Sequence, residues 1–156
     1  MILLRKATKN DSEFLFTLRN EESVRRVSGN PESISRETHE KWFEEKLTSS
    51  AAVIFIAEEN GSAIAYVRFE VIQKDTASIS VALVPSARGK GNGTRIITQA
   101  TTRFLDEHPA LSEVRAYINL GNEASEKSFS AAGYEPKGDS ERGGMRQHLL
   151  ISKKKR

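Results

Sequence analysis

The stretch VPSARGKGNGTRI, residues 84–96, sets glycines at 89, 91 and 93 and the basic residues Arg88 and Lys90 between an apolar run and a helical pattern. Such a loop either cradles an anion or simply turns the chain from a strand into a helix. Spacing excludes two familiar phosphate loops. A P-loop needs Gly, four residues and then Gly-Lys-Ser/Thr, a run this chain lacks. The dinucleotide fingerprint G-x-G-x-x-G fails on its third glycine, and no acidic partner stands at the right distance in a parallel βαβ unit. A more general anion site stays open. The amides at a helix N-terminus are unpaired donors at the positive end of the dipole, and glycine lets a ligand approach them closely. On spacing alone the two readings are level.

The flanking pattern places the loop. Upstream, AAVIFIAEENGSAIAYVRFEVI holds two strand-like runs around Glu59-Asn60-Gly61, a strong hairpin signal. Lys74-Asp75 turns into a third strand, TASISVALVP, so an antiparallel meander feeds the loop. Downstream, Ile96, Ile97, Ala100, Thr101, Phe104 and Leu105 mark one buried face of a helix over about 92–107, closed by Pro109. SEVRAYINL is a strand, and a short helix begins at Asn122 and ends at Gly133. YEPKG and MRQHLLISK are two last strands joined through Gly143-Gly144. At the start, MILLRKA is a strand, and NDSE supplies a helix cap before the stripe Phe14, Leu15, Leu18. A second short helix and a loop broken by Gly29 and Pro31 follow. Ser35 then caps a helix over about 36–48 that sets His39, Trp42, Phe43 and Lys46 on one side. The order β-α-α-α-β-β-β-α-β-α-β-β predicts an α+β domain on a mostly antiparallel sheet of seven strands with one β-α-β crossover.

A chain of 156 residues suits one domain, expected over 1–152, with a basic tail over 153–156. The net charge is +3, and without the terminal KKKR it becomes −1, so no basic face points to nucleic acid. No apolar run is long enough to span a bilayer, and no membrane partner is expected. The chain has no cysteine, which excludes disulfides, thiolate metal sites and a cysteine nucleophile, and agrees with a cytoplasmic location. No metal site is expected.

Arg88 to Gly93, RGKGNG, fits R/Q-x-x-G-x-G/A, and NEASEKSFSAAGY fits N-x-x-S/A followed by a short helix ending in Gly-Phe/Tyr, with Asn122, Ser125, Gly133 and Tyr134 in those places. In this pair of motifs, and in its element order, the chain resembles the GNAT superfamily of N-acetyltransferases. The resemblance implies acetyl-CoA as co-substrate. It implies that the backbone of Leu83 and Val84 pairs with the pantetheine, and that the amides of Arg88, Gly89, Lys90, Gly91, Asn92, Gly93 and Thr94 hold the pyrophosphate. Asn122, Ser125 and Phe129 would line the cofactor. The Asn122 side chain also suits a plain helix cap.

The implied reaction moves acetyl directly from thioester to amine, so no cysteine is needed. It requires a base for the ammonium, a backbone donor for the oxyanion and an acid for the leaving thiolate. Leu83 is the candidate oxyanion donor. Glu70, with Ser80 on the next strand, is the candidate base; a solvent-facing strand glutamate is the plainer reading. Many relatives carry a tyrosine acid seven residues after the asparagine, where this chain has Phe129. Ser125, one helical turn away, is the candidate that replaces it, with Ser128 or water as alternatives.

The acceptor is expected against residues 19–43. Arg19, Asn20, Arg25, His39 and Trp42 are the candidate contacts, guanidinium for phosphate and ring for stacking. For any one of them the plainer reading is that Trp42 and Phe43 belong to a core and the arginines to a solvated face. The pattern resembles sugar-nucleotide acetyltransferases acting on UDP-linked amino sugars. The ribosomal-protein N-terminal acetyltransferases share a similar layout and give the alternative, a peptide amine. A non-catalytic acetyl-CoA-binding domain is the alternative of another class. Exposed C-terminal edge strands are compatible with a homodimer.

Overall fold

The computed structural model describes residues 1–28, 32–142 and 145–153. β1 (Ile2–Lys6) leads through a 3-10 turn (Lys9–Asp11) to α1 (Ser12–Asn20), α2 (Glu22–Ser28) and α3 (Arg36–Thr48). β2 (Ala52–Glu59), β3 (Ser62–Gln73) and β4 (Thr76–Leu83) form the meander. α4 (Asn92–Glu107), β5 (Glu113–Asn119), α5 (Glu123–Ala131), β6 (Glu135–Arg142) and β7 (Met145–Lys153) complete the expected order.

Local chemistry explains the boundaries. Asn60 and Gly61 take φ of 54° and 80°, the positive values that a two-residue hairpin turn needs. The Ser35 hydroxyl accepts from the Thr38 amide at 3.2 Å and starts α3. The first helical segment begins earlier than the NDSE signal suggests. The Asp11 carboxylate accepts from the Thr8 amide at 2.7 Å and pairs with Arg5, so a 3-10 turn precedes α1. Lys153, expected in the tail, is the last residue of β7. Residues 154–156, the Gly143-Gly144 junction, and Gly29 and Pro31 lie outside the described residues.

The seven strands form one sheet in the order β1-β2-β3-β4-β5-β7-β6. β4 and β5 pair in parallel and the other described pairs are antiparallel. α1 and α3 cover one face, where Leu15, Leu18 and Phe43 meet Ile54, Ile56, Tyr66 and Ala82. α4 and α5 cover the other, where Ile96, Ile97, Phe104 and Phe129 meet Val67, Phe69 and Ile79. Phe69 and Phe104 stack there with centroids 4.1 Å apart. Each such side chain contributes about 1.5–3 kcal/mol by leaving water, and together they fix the sheet between its two helical layers.

One feature of the register shapes the site. The parallel ladder runs from Thr76↔Glu113 to Ile79↔Ala116. β4 continues to Leu83 and β5 to Asn119 without further register pairs, so the strands part toward their C-terminal ends.

Candidate active site

The opening between β4 and β5 is continuous with two clefts. The first, about 420 Å³, runs from the end of β4 between the start of α4 and α5; Leu83, Arg88, Gly89, Gly91, Gly93 and Ser128 are among its lining residues. The second, about 330 Å³, lies on the α1 side; Arg19, Arg25, Tyr66, Arg68, Asn119 and Phe129 are among its lining residues. Val24, Val81, Ala82, Asn122 and Ser125 line both, so the clefts meet at the parted strands. Both volumes lie in the lower part of the range of about 300–1,000 Å³ used by small-molecule sites.

The glycine loop forms the far wall of the first cleft. After a 3-10 turn at Pro85–Ala87, Gly89 and Gly91 take φ of 74° and 78°. A Cβ at either would meet nothing within 4 Å, so backbone conformation requires these two glycines. Gly93 differs: a Cβ there would stand 3.0 Å from the Ser128 hydroxyl, so it lets α4 approach α5. Beneath the loop, the buried Asn92 side chain donates to the Ala87 carbonyl at 3.0 Å and accepts from Arg95. The open glycine surface at the positive end of α4 fits a diphosphate. Arg88 reaches from the loop to the Leu83 carbonyl at 2.9 Å and to Glu21 at 3.2 Å. Ser23 and the Arg88 pair hold the Glu21 carboxyl well below its ordinary range, at about 2.

Strand alternation sorts the expected backbone contacts. The Val84 amide donates to the Ile64 carbonyl at 2.8 Å, so it faces β3 rather than the opening, and Val84 lines neither cleft. Leu83, and Val81 two residues before it, direct their amides the other way. Val81 and Leu83, rather than Leu83 and Val84, therefore present their amides to the opening. Period-2 alternation carried that signal, because the pair had to be i and i+2 rather than adjacent.

The remaining foreseen residues separate cleanly. Asn122 caps α5 through the Ser125 amide at 3.3 Å and also lines both clefts beside Ser125. Phe129 is buried at the floor of the second cleft, edge-on to Tyr134, whose hydroxyl meets Thr101 at 2.7 Å. Lys90 and Thr94 line neither cleft. Asn20 is a structural clamp instead of a ligand contact: its side chain bonds both the carbonyl and the amide of Ile34, at 2.9 and 2.5 Å. His39 is 1% exposed, too buried to touch a ligand. Its Nδ1 accepts from Arg19 at 2.9 Å and its Nε2 donates to the Ser12 carbonyl at 2.9 Å. Burial and the neighbouring Arg19 charge push its pKa below the ordinary imidazole value. Trp42 stands behind the lining, with the Arg19 guanidinium 3.7 Å from its centroid. Glu70 does not line the second cleft; it is opposite Ser78, on the paired side of the opening, in ion pairs with Lys46 at 2.5 Å and Arg68 at 3.8 Å.

Among the lining residues that carried no expectation are three that bear polar or charged groups on central elements. Tyr66 and Arg68 face the second cleft from β3, and Lys127 faces the first from α5. An inward-facing charge on the central strand, in phase with Tyr66, was the available signal for Arg68. Burial raises the Tyr66 phenol above its ordinary pKa, so it stays protonated near neutral pH.

Comparison with known proteins agrees with this geometry. YwnH of Bacillus subtilis (strain 168), whose name provisionally assigns it as a phosphinothricin acetyltransferase, is 27% identical over 137 residues, 84% of this chain and 82% of that one. Among solved structures, AAC(6')-Ib in complex with ribostamycin and coenzyme A superposes with a TM-score of 0.86 at 18% identity, over 98% of this chain and 93% of that one. Spermidine N-acetyltransferase from Vibrio cholerae in complex with CoA and spermine gives 0.84 at 17% identity, over 97% and 95%. The acetyltransferase (GNAT) domain model matches residues 1–135, most of the chain, and the chain therefore belongs to the GNAT acetyltransferase family, with acetyl-CoA as its co-substrate.

Proposed function

We propose that this enzyme transfers acetyl from acetyl-CoA directly to the primary amine of a small molecule. The observation that carries the reading is the meeting of two clefts at the parted β4 and β5, one walled by the glycine loop and the other by side chains of α1, α2 and β3. In this reading the first cleft takes acetyl-CoA, with the diphosphate on the loop amides and the pantetheine along Val81 and Leu83. The second cleft takes the acceptor. The amine nitrogen bonds to the acetyl carbon, the carbon–sulfur bond breaks, and the Leu83 amide faces the oxygen that gains charge.

The described lining of the acceptor cleft holds no carboxylate or imidazole. The ammonium proton accordingly leaves to solvent through the open side of the cleft. Ser125, where the clefts meet, is the side chain placed to relay the second proton lost by the attacking nitrogen to the departing thiolate, its own hydroxyl being restored in the same exchange. Relatives and fold neighbours carry names or ligands that include phosphinothricin, ribostamycin and spermine. For this chain the first acceptor to test is a nucleotide-linked amino sugar, and the second is a peptide N-terminus. The test is release of free thiol from acetyl-CoA across a panel of amines, with calorimetric titration of acetyl-CoA alone. Binding with acetylation of a small amine is the expected result. Binding without turnover on any amine would leave only an acetyl-CoA-binding domain.

A further inference from the structure

The acceptor cleft has an unusual charge balance. Three guanidinium residues, Arg19, Arg25 and Arg68, line it, and no Asp or Glu does so among the described residues. Arg19 is the most telling of them. Its described contacts are neutral: the His39 ring nitrogen at 2.9 Å and the Trp42 ring at 3.7 Å. His39 cannot become a counter-ion, since its Nδ1 spends a lone pair on Arg19 and its other nitrogen serves the Ser12 carbonyl.

Arg68 lies beside it. Its guanidinium is 5.2 Å from the same Trp42 centroid and donates to the Ser80 hydroxyl at 3.1 Å. The carboxylate beside Arg68, that of Glu70, approaches its Nε at 3.8 Å and is held more tightly by Lys46 at 2.5 Å. Two cations thus share one aromatic ring at the wall of a cleft. Each is partly withdrawn from water, and each repels the other. Such an arrangement is costly unless an anion completes it.

Resting on the acetyltransferase reading above, we infer that the acceptor amine carries an acid group, a carboxylate, phosphinate or phosphate, which Arg19 and Arg68 hold with the Tyr66 hydroxyl between them on the cleft wall. A planar guanidinium pair suits such a group because it offers parallel N–H donors. Ser80, which Arg68 touches, precedes Leu83 by three residues, about 10 Å along an extended strand. The acid and the amine of one small molecule can therefore reach the arginines and the opening together. Polycationic acceptors are disfavoured by the same charges. Trp42 and His39 act as positioning residues, which aim Arg19 without touching the acceptor.

The experiment compares acceptors in matched pairs. α- and γ-amino acids, an amino phosphinate, an amino-sugar phosphate and a UDP-linked amino sugar are each assayed beside the corresponding neutral ester, amide or unphosphorylated sugar. Spermidine serves as the cationic control. The expected result is kcat/KM at least about 10-fold higher for the acid than for its neutral partner in one or more pairs. The pair with the largest ratio tells an amino acid from a sugar phosphate as the source of the anion. Arg19→Met and Arg68→Met should each lower kcat/KM for that acid by about 10- to 100-fold, and bring it toward that of the neutral partner. The KM for acetyl-CoA should stay as in the wild type. Arg68→Gln, nearer in shape and polarity, guards against misfolding, with circular dichroism and the acetyl-CoA titration as checks. Equal use of acid and neutral partners, a preference for spermidine, or equal losses on both members of a pair would overturn the inference while leaving acetyl transfer intact. Failure to bind acetyl-CoA or to acetylate any amine would overturn the reading on which it rests.

Discussion

Replacement of Gly91 by alanine separates backbone conformation from steric room. Gly91 caps α4 at φ 78°, and a Cβ built there meets nothing within 4 Å. No clash is available to explain a loss, so the whole effect must come from holding an L-residue in the left-handed region, about 1–2 kcal/mol. Stiffening of the unfolded chain returns about 0.4–1 kcal/mol, which leaves a net cost near 1 kcal/mol. If the loop keeps its shape, unfolding in urea reports that cost and acetyl-CoA binds as before. If the loop relaxes, stability is preserved and the cost moves to binding, as a rise in Kd of about 5- to 30-fold. Gly91→Asn should show less of either effect, since asparagine tolerates this region. Urea unfolding and calorimetric titration of acetyl-CoA on the three proteins measure both quantities. A Gly91→Ala protein that matches the wild type in both would refute the conformational argument. Gly93→Ala should behave differently: its cost comes from the Ser128 hydroxyl at 3.0 Å, so Ser128→Ala should relieve much of it.

Three further outcomes are expected. His39 has its pKa depressed in the folded state by burial and by Arg19, so the unfolded chain takes up its proton first. Stability should then be full above about pH 6.5 and fall as pH drops below it, by at most about 1.4 kcal/mol per pH unit; His39→Gln should flatten that slope in urea titrations from pH 7.5 to 5, and an unchanged slope would contradict the assignment. Ser125→Ala should lower kcat by about 100-fold or more if the hydroxyl protonates the thiolate; a raised KM for acetyl-CoA at unchanged kcat would instead mark a binding contact. Tyr134→Phe removes a buried hydroxyl that meets Thr101 at 2.7 Å and should cost about 1–2 kcal/mol in thermal unfolding, with kcat unaltered; a fall in kcat would show that Tyr134 takes part in the chemistry.

Much of the fold was legible because local signals and tertiary packing agree. The face Ile96, Ile97, Ala100, Thr101, Phe104 and Leu105 is buried as its spacing requires, and Asn60-Gly61 turns the hairpin. The glycine wall of the first cleft was legible because it depends on backbone geometry, which glycine and helix starts announce. The acceptor side was harder. Arg19, His39 and Trp42 were seen together, yet their division of labour depends on depth: Arg19 reaches the cleft, while His39 and Trp42 sit behind it. No periodicity distinguishes a side chain at the wall from one behind it. Glu70 and Arg68 show the same limit. They share a face of β3, but the point where β4 and β5 part leaves Arg68 in the cleft and Glu70 outside it. That point is set by pairing between residues some forty positions apart, such as Ile79 and Ala116.

The parted strands also have a mechanical meaning. Across the middle of the sheet, the half built from β1 to β4 is stitched to the half built from β5 to β7 over the short run Thr76–Ile79. Beyond it the amides of Val81 and Leu83 have no strand in register opposite, while the Leu83 carbonyl accepts from Arg88. A pantetheine arm lying there, with its own amides, would act as the missing rungs of the ladder. In that sense the polypeptide encodes a sheet that is unfinished along one seam, and in the proposed binding mode the acetyl donor is the piece that would zip it.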